Sequence, residues 1–168
     1  MAYTVSDQVG SGATSATITL ASLASSSTAG RQSTTITLID GNNNVPQIVD
    51  FLVTLKLTTG TLSGDSAAYI WASRSFDNSN FEQGPPAPGA SDAAFTFSNS
   101  PVGTSPFATD LLLLGAITFN AQSETHAKLL RMYAPPEYVT LIVLNYSGIA
   151  LNSTGNSITY IKRYGDIR

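Results

Sequence analysis

Cysteine is absent from this chain, which excludes disulfide bonds, thiolate nucleophiles and zinc–thiolate sites together. Charge is also scarce, because Asp, Glu, Lys and Arg make up only 11% of the 168 residues. That fraction is less than half of the roughly 25% that is typical of soluble domains. The eight basic residues are scattered and the net charge is −3. We therefore expect no nucleic-acid partner, since no run of basic residues could follow a phosphate backbone.

Long apolar stretches are missing as well. No segment approaches the roughly 20 apolar residues that a membrane span needs, so we expect no membrane partner. The longest apolar run, from Leu111 to Phe119, predicts a buried strand. Residues 1–7 contain neither a basic region nor an apolar stretch, so no secretory signal is expected.

Alternation of period two replaces helical periodicity, which is nearly absent. In residues 48–59, alternate apolar side chains point one way and mostly polar ones the other, with Leu52 as the exception. Further strands are predicted at residues 16–22, 34–39, 67–75, 93–97, 110–119, 125–132, 138–145 and 157–164. Eight or nine strands without a helix predict an all-β fold, a two-sheet antiparallel sandwich with jelly-roll order. A closed barrel is the alternative.

The beginning of the chain has a different composition. A nearly uncharged run of Ser, Thr, Ala and Gly extends from Ser11 to Thr35, and such a segment cannot bury enough apolar surface to fold alone. We therefore predict an extended N-terminal arm over residues 1–33 and a β-sandwich domain over residues 34–168. The arm needs a neighbouring chain or the main body to lie on, and it can order by adding a strand to a neighbouring sheet. The candidate contact residues of the arm are Tyr3, Val5, Ile18, Leu20 and Arg31.

No catalytic, cofactor or metal motif is recognisable, so we predict that the protein is not an enzyme and holds no cofactor or metal. Glu124 and His126 share one strand face, but a surface histidine beside an acid explains this pair better than catalysis does. Residues 77–82, DNSNFE, have oxygen ligands at alternating positions. They lack the third acid and the glycine of a calcium loop, so a turn built on Asx residues is the better interpretation.

Aromatic and arginine side chains offer two further candidates. Tyr69, Trp71 and Phe81 cluster around one predicted strand and the loop after it. Such a group can form a sugar-stacking platform, although a single Trp on a central strand is more often part of a core. Arg74 and Arg131 stand on predicted strands, where they either pair with acids across a subunit contact or form surface ion pairs of little energy.

Two segments resemble small virion proteins of tailed bacteriophages. Residues 69–81, YIWASRSFDNSNF, are similar to a segment of these proteins in which a strand is followed by a short polar turn and an aromatic residue. Residues 138–160, YVTLIVLNYSGIALNSTGNSITY, resemble their closing hairpin, in which an apolar strand ends in Asn-x-(Ser/Thr)-Gly before the last strand. The resemblance covers about the second half of the chain.

The resemblance implies a capsid decoration (cement, or auxiliary) protein. Such a protein is a non-enzymatic structural component with a jelly-roll or related β-fold that binds the outside of the capsid shell and stabilises it. The implied partners are the major capsid protein and further copies of the chain in a homotrimer. The implied location is the capsid surface of the virion, after assembly in the cytoplasm of the bacterial host. The alternatives are a head spike or tail component of the virion, or a carbohydrate-binding β-sandwich that uses Tyr69, Trp71 and Phe81.

Overall fold

The computed structural model describes residues 5–9, 12–82, 91–97 and 111–167. These ranges contain eleven strands and no helix. The strands are β1 (Val5–Val9), β2 (Thr14–Ser15), β3 (Ala29–Gln32), β4 (Ile36–Thr37), β5 (Ile48–Lys56), β6 (Ala67–Ser75), β7 (Ala93–Thr96), β8 (Leu112–Thr118), β9 (Thr125–Tyr133), β10 (Tyr138–Tyr146) and β11 (Ser157–Ile167).

The strands form two antiparallel sheets that pack face to face. The first sheet has the order β1-β11-β5-β9, and β2 pairs with β11. The second has the order β7-β3-β10-β6-β8, and β4 pairs with β10. The predicted all-β class and the two-sheet antiparallel sandwich are confirmed, whereas jelly-roll order stays a prediction.

The main core lies between the two sheets. Alternate residues of β5 from Val49 to Leu55 are completely buried there, as the period of two predicts. They belong to the same cluster as Ile70 of β6 and Val143 of β10. Because β6 and β10 are buried on both faces, their sequences read as nearly continuous apolar runs rather than as alternating ones.

A second, smaller apolar cluster covers the opposite face of β6 and β10. Trp71 lies at its centre and is 1% exposed. The ring of Phe97 lies 6.0 Å from that of Trp71, and the ring of Phe95 lies 4.9 Å from that of Phe97 in an edge-to-face arrangement. The second sheet is therefore covered on both sides over its central strands, whereas the first sheet has one outward face.

The prediction of a strand at residues 16–22 is wrong. Only β2, at Thr14–Ser15, has strand geometry in this region, and the chain then bonds first to β11 and next to the link between β3 and β4. The amide of Ala16 donates to Ile158 of β11, whereas the carbonyl of Thr17 accepts from Thr34. The chain turns at residues 21–22, where Ser22 has a φ of +56°. A segment whose hydrogen-bond partner changes from one residue to the next cannot keep one partner strand, so no ladder extends through it.

Residues 23–33 lie along the second sheet of their own chain. The amide of Ser26 donates to the carbonyl of Asn145, and the carbonyl of Leu23 accepts from Leu151 and from Asn145 Nδ2. Strand β3 lies between β10 and β7 in the second sheet. Part of the predicted arm thus belongs to the sheets of the sandwich in the single chain.

Candidate interaction surface

The outward face of the first sheet combines exposed apolar side chains with an ion cluster. We call the outward positions of β5, β9 and β11 the arginine face. Its central part has three rows across β9, β5 and β11, set by the antiparallel register: Tyr133, Ile48 and Arg163; Arg131, Asp50 and Ile161; and Leu129, Leu52 and Thr159. Three adjacent strands therefore present these side chains on one continuous surface.

Asp50 is the centre of the ion cluster. Although it faces away from the core, it is only 3% exposed, because arginine side chains flank it on both sides. Nε and Nη2 of Arg131 donate to the two carboxylate oxygens at 2.5 and 2.9 Å. From the other flank, Nε of Arg163 donates to Oδ2 at 2.6 Å. Both carboxylate oxygens of Asp50 therefore accept charge-assisted hydrogen bonds.

These contacts hold the cluster in its ionised form. The hydrogen bond from Arg131, opposed by burial and helped by Arg163, holds the pKa of Asp50 below its usual value. Asp50 in turn raises the pKa of Arg131, with a smaller contribution from Tyr133. The side chains of Arg131 and Arg163 remain 40% and 29% exposed. Two cations on one carboxylate leave a surplus of one positive charge that is partly accessible to solvent.

Large apolar side chains surround this cluster. Leu52 is 44% exposed, Leu129 directly opposite it on β9 is 57% exposed, and Tyr133 is 68% exposed. Three of the six exposed large apolar residues among the described ranges therefore lie on this one face. Of these side chains, Tyr and Arg are the types that are enriched in protein–protein contacts.

The arginine face also differs in charge from the rest of the protein. Its outward positions on β5, β9 and β11 carry three cations, Lys56, Arg131 and Arg163, and one anion, Asp50, which gives +2. The whole chain carries −3, so all other positions together carry −5. A positive surface on an acidic protein favours acidic partners.

The predicted contact residues of the N-terminal arm occupy several different environments. Leu20 is 2% exposed within the main core, and Ile18 is half-buried against it. Arg31 donates to Asp92 of its own chain at 2.6 Å. The backbone of Val5 pairs with Ile167, and Tyr3 lies outside the described residues. The contact of this arm with a neighbouring subunit stays a prediction.

The three residues of the sugar-platform hypothesis do not form an open aromatic surface. Trp71 is 1% and Phe81 9% exposed, so neither offers a ring face to a sugar. Tyr69 is half-buried, and its hydroxyl donates to Asp65 at 2.6 Å. Burial and this hydrogen bond raise the pKa of Tyr69 to about 12. Trp71 belongs to the second apolar cluster and Tyr69 packs against it, which agrees with the other interpretation that the sequence left open, that of a core.

The remaining candidate residues have local partners. Arg74 forms a bidentate ion pair with Glu82, and the ring of His126 packs edge-to-face on Phe119. The carboxylate of Asp77 accepts hydrogen bonds from the amides of the second and third residues after it, which confirms the predicted Asx turn. Within the described ranges, no group of three or more His, Asp or Glu residues could hold a metal ion. No helix in those ranges has the length and apolarity that crossing a membrane requires.

Arg131 is a candidate from the sequence, whereas the other members of its ion cluster, Asp50 and Arg163, are evident only from the structure. One signal was present: Leu52 breaks the alternation of β5 at an outward position, two residues after Asp50. Exposed apolar side chains indicate an interaction surface where several are contiguous, as Leu52 and Leu129 are here.

Comparisons of the chain with protein-family models, with curated proteins and with solved structures gave no match.

Proposed function

We propose that this protein is a non-enzymatic structural component of a bacteriophage virion that binds the outside of the capsid shell and stabilises it. The observation that carries the proposal is the arginine face. It offers exposed Leu and Tyr side chains around an ordered ion cluster on a rigid sheet. Such a surface suits docking on another protein, because its polar groups are already positioned and lose little entropy on binding.

The composition supports a structural role in a particle. A chain without cysteine does not depend on an oxidising compartment for its stability. Residues 138–160, which resemble the closing hairpin of phage virion proteins, contain β10 and the beginning of β11. These two strands lie inside the second and the first sheet, respectively. The segments that resemble phage virion proteins thus include inner strands of both sheets. A head spike or a tail component remains the alternative location.

The test is binding to capsid shells of the phage that encodes the protein, prepared without it. Purified protein is mixed with these shells, unbound protein is removed by sedimentation, and bound copies per shell are counted by quantitative gel analysis. We expect saturable binding of hundreds of copies and a higher temperature of shell disruption. Shells of an unrelated phage are the control.

The copy number separates the alternatives. A dozen or fewer copies per particle would place the protein at a vertex or in the tail instead of over the shell. No binding to shells, together with absence from intact virions by mass spectrometry, would refute the virion proposal.

A further inference from the structure

We infer that Lys128 closes the free edge of the first sheet against strand addition, so that other chains do not bind this protein by extending that sheet. Strand β9 is an edge strand, because among the described strands it pairs with β5 alone. On its other side, alternate residues direct backbone N–H and C=O groups with which a strand of another chain could pair. The inference does not depend on the proposed function, because it concerns the edge of this sheet and not its outward face.

The sequence of β9 is suited to strand pairing. Its nine residues contain neither proline nor glycine, and Leu129, Leu130, Met132 and Tyr133 give its second half an apolar character. Segments of this kind pair readily with strands of other chains where an edge is open. A protein that keeps such a strand at an edge therefore needs a feature that prevents pairing.

Lys128 occupies a position that faces the second sheet. It lies opposite Val53 of β5, which is completely buried. The other three β9 residues on this face are buried (Leu130 and Met132) or half-buried (His126), whereas Lys128 is exposed. At an edge, a long side chain can keep its charged end in water while its stem lies along the apolar surface. A lysine at this position is therefore compatible with the fold as long as the edge stays open.

The ammonium group of Lys128 bridges the edges of the two sheets. Its Nζ donates to the carbonyl of Ala116 at 2.8 Å, and Ala116 belongs to β8, the edge strand of the second sheet. A strand added to β9 would cover this side chain and take its charge out of water. Since an unpaired charge is costly to remove from water, strand addition is disfavoured.

The neighbouring edge has a protection of another kind. Strand β8 pairs with β6, and the register of this pair shifts between Ile70 and Trp71. Such an irregularity twists an edge strand and interrupts the row of backbone groups that a further strand needs. Both edge strands on this side of the sandwich therefore carry a feature that disfavours strand addition.

The experiment removes the charge from β9 in the full chain and measures assembly relative to the wild type. Lys128→Val and Lys128→Gln are followed by light scattering and thioflavin T fluorescence over a range of concentrations. Lys128→Val should form large assemblies at a concentration at least about tenfold below that required by the wild type, since its edge carries no charge that must leave water. Lys128→Gln should lie between the two. The fluorescence of the single tryptophan checks that the soluble protein is folded.

Lys56→Val is the matched control, because it removes the same charge from β5, which pairs with a strand on each side. Lys128→Arg is the conservative variant, since it keeps a positive charge at the edge. Both should assemble like the wild type. Hydrogen exchange adds a local measurement: in assemblies of Lys128→Val, the backbone amides of residues 125–133 should gain protection, because a new strand pairs with them.

Three outcomes would overturn the inference. In the first, Lys128→Val and Lys128→Gln stay as dispersed as the wild type. In the second, assemblies form but residues 125–133 gain no protection, so that the contact lies elsewhere. In the third, Lys56→Val assembles as strongly as Lys128→Val, so that the lost charge and not the open edge is the cause. Shell binding is measured on the wild type, so the proposed function stands or fails separately.

Discussion

Leu20 offers the sharpest test of how the N-terminal segment is held. In the structure it is 2% exposed within the main core, although it stands in a run of small and hydroxylated residues. Leu20→Ala removes about three methylene equivalents worth about 0.8 kcal/mol each, before any cavity remains. Buried Leu→Ala changes cost about 2–5 kcal/mol in all. We expect a loss of about 2–4 kcal/mol here, since a segment near the surface can collapse partly into the space.

The assay is equilibrium unfolding in urea, followed by the fluorescence of Trp71, which is 1% exposed in the folded chain and becomes solvated on unfolding. With a slope of about 2 kcal/mol per molar urea, the midpoint should fall by about 1–2 M. Phe76→Ala is the control, because it removes a larger side chain that is 76% exposed, and it should change the free energy of unfolding by less than about 0.5 kcal/mol. If Leu20→Ala behaved like this control, Leu20 would not be packed in the main core of its own chain.

Three further predictions concern the ion cluster, one turn and the tryptophan. Asp50→Asn leaves two arginines without their carboxylate and should cost about 1–3 kcal/mol, a range that allows for their partial solvation. Because the pKa of Asp50 is lowered in the folded chain, the ionised carboxylate stabilises the fold above the unfolded pKa of about 3.9, and this stabilisation is lost as the pH falls through the folded pKa. The difference in the free energy of unfolding between Asp50→Asn and the wild type, measured in urea, should therefore shrink from pH 5 towards pH 2. Gly148→Ala should cost about 1–3 kcal/mol by thermal unfolding, because Gly148 has a φ of +82° and an added Cβ would lie 2.1 Å from Ser63 Oγ; Gly41→Ala, with no atom within 4 Å of the added Cβ, should be neutral, and equal effects would contradict the turn geometry. Acrylamide should quench the fluorescence of Trp71 several-fold less than that of free tryptophan, and quenching as strong as in the unfolded chain would mean that the second cluster does not cover it.

The strands that the sequence predicted best are those whose pattern depends on burial alone. Strand β6 has the predicted bounds, 67–75, and the apolar run of β10 was found to within one residue of its end. Apolar runs of this kind can be recognised in the sequence because both faces of these strands are buried. The strand predicted at 16–22 failed because strand geometry also requires a partner strand, and here the partner changes from β11 to the link between β3 and β4.

The ion cluster depends on information that no local pattern contains. Arg131 and Arg163 are 81 and 113 positions from Asp50, and they meet only because β9 and β11 lie on either side of β5 with one particular register. A shift of one residue would turn either arginine towards the core. The sequence could therefore indicate that β5 has an unusual outward face, through Leu52, but not which charges would meet there.

The burial of Asp50 is hard to explain by stability alone. Removing a carboxylate from water costs free energy, and replacing a buried ion pair with apolar residues is often neutral or stabilising. A sheet face that only contacts water would achieve solubility more simply with Thr and Ser, which this chain already uses at Thr54, Ser157 and Thr159 of the same face. An ion cluster beside Leu52 and Leu129 instead fixes the direction of two guanidinium groups next to an apolar surface. That combination is useful where another protein covers it, which is why the arginine face, rather than the aromatic cluster, carries the proposed function.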